Sequence, residues 1–223
     1  MSEWWTYSLS DFLLFSPRTY YRLFELYNAD VWPAQMLALM LGFISLAALS
    51  GVRARVIPAM LGALWLWVAW AYLLTHYDTI NWAAKYFAAA FAIEAVLLLV
   101  TALLPDRFAL HAGVFRPVGR ILFAFALIVQ PLIGPLVLER PWTQIEMFGV
   151  TPDPTVVATL GALVAAQRPH WELIVIPLLW CAIAAATLWA MNAPQGWIVL
   201  AAGLLALWPA LLGSPHEAPA AMR

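Results

Sequence analysis

The feature that most constrains this chain is a succession of apolar runs, each about as long as a helix needs to cross a lipid bilayer. A helix rises about 1.5 Å per residue, so a hydrocarbon core of roughly 30 Å takes about 20 residues. Runs of that kind lie at 33–50, 56–75, 82–104, 119–138, 171–191 and 195–212. A shorter one at 154–167 reaches only about 20 Å as a helix. The expected architecture is an all-α polytopic transmembrane helical bundle of seven spans, or six if the short run is re-entrant. Three regions follow: an N-terminal interfacial amphipathic segment at 1–32, the bundle at 33–213, and a short C-terminal tail at 214–223.

Composition closes the alternatives. Hydrophobic residues make up 65% of the chain and charged ones 10%, where a soluble domain carries about 25% charged residues. Such a chain cannot cover itself with polar surface in water. The formal net charge of −1 leaves no basic excess for nucleic acid. Cys181 is the single cysteine, which excludes an intramolecular disulfide and zinc-finger spacing. The opening "MSEWWTYSLSDFLLF" lacks a basic n-region and a small-residue cleavage site, so no cleaved signal peptide is expected.

Orientation is read from Lys and Arg in the short connections. The first connection holds Arg53 and Arg55 and the third holds Arg107, Arg116 and Arg120, so both are expected on the cytoplasmic side. The second, with His76, Asp78 and Lys85, and the fourth, with Glu139, Arg140, Glu146 and Asp153, balance or lean acidic. They are expected outside, together with the N-terminus. Arg18 and Arg22 count against that orientation but are outnumbered. If the short run crosses, Arg168 and the tail also fall inside.

Ahead of the first run, Ser16 and Pro17 form a helix start, cap followed by a proline at the first helical position. Tyr20, Leu23, Phe24 and Tyr27 then share one face. This reads as an amphipathic helix lying in the outer interface or packed on the mouth of the bundle. The stretch "LYNADVWPAQ" (26–35) is then a corner where the chain turns from lying on the membrane to crossing it. Asn28 and Asp30 end the helix, Trp32 suits headgroup depth, and Pro33 takes the first turn of the span. Asn28 is expected to bond groups of the second or fourth connection.

The segments "YNADVWPAQ", "LWVAWAYLLTHYDTINWAA", "FGVTPDPTVVATLG" and "LIVIPLLWCAIAAAT" together resemble a family of bacterial multi-pass integral membrane proteins of unknown function. The YN…WPAQ and FG…TP.PT pieces carry most of the likeness, which runs from about Leu23 onward. It implies a helical bundle in the bacterial inner (cytoplasmic) membrane and no particular chemistry.

Among the residues that could carry chemistry, Glu94 stands out. It lies mid-run in "AAAFAIEAVLLL", where a carboxylate costs about 2.5–3.5 kcal/mol on insertion scales and so faces the interior with a partner. Gln130 in the next run is the expected partner, either as neutral helix-to-helix glue or as part of an ion path. The outer rim gathers Asn28, Asp30, His76, Asp78, Asn81, Glu139, Glu146, Thr151 and Asp153. A tentative ligand-binding set is Glu94, Gln130, Asn28, His76, Asp78, Asn81 and Asp153. Asp153 has a simpler role as well, capping the short run ahead of Pro154. The His76/Asp78 spacing is not diagnostic of a metal, and no metal or cofactor is expected. No HExxH, GxSxG or GxxxxGK[ST] occurs, and no nucleophile–base set points to an enzyme. Arg140 and Lys85 read as isolated interface anchors. Ala84/Ala88/Ala92 and Ala182/Ala186/Ala190 are small-residue stripes suited to close helix packing, and Pro131 and Pro177 should kink their helices. Trp4, Trp5, Trp32, Trp82, Trp142 and Trp171 read as aromatic belts.

The functional expectation is small-solute or ion handling through an outward-facing polar vestibule leading to Glu94. The alternative is a non-catalytic accessory or assembly subunit of a larger membrane complex. Expected partners are the lipid bilayer and either other membrane subunits or further copies of the chain, with no nucleic acid.

Overall fold

A computed structural model describes residues 15–51 and 54–212. Arg53, Trp4, Trp5 and the tail at 214–223 lie outside the described residues. Nine α-helices are formed among the described residues: α1 Pro17–Asp30, α2 Ala34–Ala48, α3 Val56–Trp67, α4 Ala84–Leu103, α5 Phe115–Ala124, α6 Gln130–Val137, α7 Pro152–Ala165, α8 Trp171–Ala190 and α9 Gly196–Leu212. Wide π-helical turns continue α3 over Val68–Leu74 and join α5 to α6 over Phe125–Val129. No strand is present among the described residues, only an isolated antiparallel bridge between Leu110 and Ala166.

Among the described residues, four segments are long and apolar enough to cross a membrane: Val56–Thr79, Ala84–Leu103, Phe115–Val137 and Trp171–Ala190. The α1–α2 pair meets the same test jointly but is bent by 92°, so the corner anticipated at 26–35 is present. Ser16 caps α1, its hydroxyl accepting from the Thr19 N–H, and Tyr20, Leu23, Phe24 and Tyr27 are buried. That stripe meets protein. Phe24 stacks on Tyr72 at 5.5 Å, and Tyr27 meets Tyr72 edge-on at 5.2 Å. The Tyr27 hydroxyl donates to the Val150 carbonyl (2.9 Å). Of the two readings of this helix, the geometry fits packing on the end of the bundle.

The short run became the centre of the molecule. All of α7, Pro152 to Ala165, is buried, with α3, α5, α8 and α9 packed around it. A helix of this length is about 21 Å long. Its packing against α5 depends on two glycines. A Cβ on Gly161 would lie 2.7 Å from the Phe123 backbone nitrogen, and one on Gly119 would lie 2.6 Å from the Ala165 nitrogen, so the two backbones touch directly. Trp65 of α3 donates to the Thr159 hydroxyl at 2.8 Å, tying a third helix to the same axis.

Other packing expectations divide. Ala84 and Ala88 are fully buried, whereas Ala182 is exposed and Ala186 and Ala190 are half-exposed; Ala184 and Ala185 take the inward positions of α8. The Ala182/Ala186/Ala190 stripe is therefore not a core seam. α8 runs as one helix through Pro177. Pro131 follows directly on the π turn, which absorbs its missing N–H.

Two polar ends result. At one, Arg116 donates to the Leu49 carbonyl (2.9 Å), Arg107 pairs with Glu172 (2.8 Å), and the 109–111 segment bonds the end of α7: His111 N–H to Ala165 and Gln167 N–H to Ala109, each at 2.8 Å. Among the described residues this end gathers Arg55, Arg107, Arg116, Arg120 and Arg168 but only Asp106 and Glu172. The opposite end joins α1, the 76–83 turn, the 138–151 connection and the start of α9.

Candidate functional site

The 138–151 connection builds the site. Helix α6 ends in a left-handed residue, Glu139 (φ 51°), and the chain doubles back so that the Arg140 N–H reaches the Gly134 carbonyl at 3.1 Å. This is a helix-ending turn with the left-handed residue a Glu in place of the usual glycine. It lays the Arg140 guanidinium against Gly134, where a Cβ would come within 3.1 Å of it. From there Arg140 reaches Glu146 at 3.5 Å, with both side chains largely buried, and covers the Tyr21 ring at 4.4 Å from its centroid, a cation–π contact.

Asp153 sits beside this pair. It does not cap α7: the cap position is Thr151, Pro152 takes the first turn, and Asp153 follows it. Its carboxylate accepts from Trp180 Nε1 of α8 at 2.8 Å and lies where the positive end of the α7 dipole favours an anion. Gln195, just ahead of α9, donates to the Tyr21 hydroxyl at 3.1 Å. Together Gln130, Arg140, Gln144, Glu146, Asp153 and Gln195 surround a cavity of about 20 Å³, enough for about one water-sized species. Three groups around it have no protein partner: Gln130 Oε1, Arg140 Nε and Gln195 Oε1.

Arg140 is thus paired with Glu146, while Asp153, bonded to Trp180, lies on the same cavity. Burial, reinforced by the neighbouring Asp153, pushes Glu146 up from its ordinary value to about 7, although Arg140 pulls the other way.

The remaining rim residues are engaged elsewhere. Asn28 donates to the carbonyls of Thr143 (3.0 Å) and Ile145 (2.9 Å), so the corner holds the fourth connection in place. His76 faces acceptors with both ring nitrogens, the Ala71 carbonyl at 2.7 Å and Asp30 at 3.1 Å. Asp78 lies 3.5 Å from Lys85. Asn81 donates to the Tyr77 hydroxyl and accepts from the Ala83 N–H. Of the sequence-derived set, Gln130 and Asp153 share this cavity. The described residues contain no group of three His, Cys, Asp or Glu side chains arranged for a metal.

Glu94 is fully buried on α4, but the expected Glu94–Gln130 pair is not formed. Neither Glu94 oxygen has a partner, nor has Gln130 Oε1. The reason is topological: α4 packs against α3 and α8, while Gln130 begins α6 beside the outer cluster. Trp180, bonded to Asp153, also meets Phe91 edge-on at 5.0 Å, one turn before Glu94. Aromatic rings therefore occupy the space between Asp153 and this part of α4. With no partner to strand, Glu94→Leu should raise stability by about 1–3 kcal/mol, the desolvation cost of an unsatisfied buried polar group. Unfolding in mixed micelles would measure it, and a clear loss of stability would show that Glu94 has a partner after all.

Sequence reasoning overlooked Tyr21, Arg140, Glu146, Trp180 and Gln195 as one group. Arg140 was expected to be an isolated anchor and is the cluster's buried cation. A family of unknown function, DUF6064, matches residues 18–215. The chain belongs to the DUF6064 family. No curated protein and no solved structure gives a significant match. The DUF6064 match spans every residue of the outer cluster, from Tyr21 to Gln195.

Proposed function

We propose that this DUF6064 protein handles a small ion, in the simplest case a proton, at the Arg140–Glu146–Asp153 cluster. The observation that carries the reading is the Arg140–Glu146 ion pair and the buried Asp153 around one cavity of about 20 Å³. A cavity of that size suits a proton or a water-sized species better than an organic solute. In this reading Glu94 is a second buried acid, reached from Asp153 when the Trp180–Phe91 contact opens. The test is flux into proteoliposomes holding a trapped pH-sensitive dye. Wild-type protein should dissipate an imposed pH gradient at least about tenfold faster than empty vesicles, a barrier change of about 1.4 kcal/mol. Glu146→Gln should return the rate to that of empty vesicles. Equal rates for wild-type and empty vesicles would sink the proposal.

The same cluster should leave a stability signature. An acid held above its unfolded value near 4.5 favours folding while protonated. Its contribution is complete below that pH and is lost as pH rises toward about 7. Stability should therefore fall across this window by about 1–3 kcal/mol. In Glu146→Gln the fall should largely vanish.

A second reading, an accessory subunit, draws support from one observation: the rim residues Asn28, His76, Asp78 and Asn81 are spent on internal contacts. It predicts no flux and a stable partner in mild detergent.

For placement we propose seven crossings, the shorter α2, α7 and α9 included, in a bacterial inner membrane with the N-terminus outside. The charge imbalance between the two ends supports this orientation. Cysteines introduced at Asp106 and Glu139 in a Cys181→Ala background test it with a membrane-impermeant thiol reagent on intact cells. Labelling at 139 but not at 106 is expected, and the reverse would invert the topology.

A further inference from the structure

At the arginine-rich end, two hollows meet. One is an apolar groove of about 470 Å³ between the start of α5 and the end of α9, lined by Val114, Val118, Leu204, Leu205 and Trp208. The other is a small cavity of about 20 Å³ whose largely apolar wall also carries His111, Gln167 and Arg168. Phe115, Val164 and Pro209 line both, so the hollows adjoin as one slot, apolar along the helices and carrying polar groups at one mouth.

The polar end is held in place. The antiparallel bridge between Leu110 and Ala166 sets His111 beside Gln167 and Arg168. His111 Nδ1 accepts the Gly113 N–H at 2.7 Å, which leaves Nε2 to carry the proton and act as a donor. Arg168 is exposed and forms no ion pair among the described residues. The nearby acid, Glu172, is taken by Arg107 at 2.8 Å. An unneutralised guanidinium and an imidazole N–H at the mouth of an acyl-sized groove complement an anionic headgroup on an apolar tail.

We propose that this slot binds one anionic phospholipid, its acyl chain along Val118, Leu204 and Trp208 and its phosphate at Arg168 and His111. The site stands apart from the Arg140 cluster and does not depend on the ion-handling reading. The anionic leaflet potential on the cytoplasmic side would favour the same occupant.

Native mass spectrometry of the full chain, delipidated in mild detergent and incubated with phosphatidylglycerol or phosphatidylcholine, tests it. One phosphatidylglycerol per chain should be retained, with about tenfold preference over phosphatidylcholine, as a charge-assisted contact implies. Arg168→Glu should reduce retention to the phosphatidylcholine level. Val118→Trp, which fills the groove, should lower retention of both lipids, and Arg18→Glu at the opposite end should leave retention unchanged. Equal retention of the two lipids, or undiminished phosphatidylglycerol on Arg168→Glu, overturns the proposal. So does binding that appears only after residues 213–223 are deleted, which would assign the groove to the chain's own tail. A dimer split by Val118→Trp would assign it instead to a second copy.

Discussion

Gly161→Leu should abolish assembly of the bundle, leaving protein that is degraded in cells and aggregated in detergent. The Cβ alone would lie 2.7 Å from the Phe123 nitrogen and 2.8 Å from the Gly119 carbonyl oxygen. Both obstacles are backbone atoms in helices, so neither can rotate aside. Relief requires α5 and α7 to separate, and α7 is buried along its whole length. The loss should exceed the 1–3 kcal/mol typical of overpacked cores, and Gly161→Ala should already be measurably impaired. The check is monodispersity by size-exclusion chromatography, with Gly203→Leu on α9 as a milder control. There the nearest obstacles are side-chain atoms of Cys181 and Leu178, at 3.3 Å. Near-wild-type behaviour of Gly161→Leu would mean that the α5–α7 crossing is looser than described.

Arg140→Met should cost about 3–5 kcal/mol, the usual penalty for removing one partner of a buried ion pair. The substitution keeps most of the apolar stem but leaves Glu146 and Asp153 facing one another without a cation. The two acids can answer only by taking up protons, so the defect should be largest at alkaline pH and shrink as pH falls. The double substitution Arg140→Met with Glu146→Gln should recover much of the loss, because it removes a stranded charge with the cation. Unfolding curves at several pH values measure both effects. A pH-independent loss, or a double variant worse than the single, would mean that Arg140 works by packing rather than by charge.

How much of this was legible in the sequence depends on how local each signal is. The helical class, the start of α1 at Ser16–Pro17 and the 26–35 corner are written in neighbouring residues and hydrophobic run length. The four segments long enough to cross alone were found as apolar runs. The status of 154–167 was open because length distinguishes a marginal span from a full one but says nothing about what surrounds it. Thr155, Thr159 and Gly161 hint at a helix that meets protein on every side, yet Thr and Gly also occur on lipid-facing helices. The candidate site was half found. Asp153 and Gln130 were named, but Arg140 was read as an isolated interface anchor. Its burial follows from the turn at Glu139 and from Tyr21, 119 residues earlier in the chain. Glu94 drew attention because an intramembrane acid is rare. The guess of Gln130 as its partner assumed that consecutive spans are neighbours, and here α7 and α8 fill the interior instead.

The fully enclosed α7 also changes how the protein responds to its membrane. A lipid-facing helix must match the local bilayer, tilting in thin regions and straining in thick ones. α7 is enclosed by the helices around it, so its length of about 21 Å is largely free of that matching. Only the outer helices feel bilayer thickness, and they can tilt around a rod of fixed length. The spacing between the Arg140 cluster and the arginine-rich end should then be set by a buried ruler and change little between membranes of different thickness.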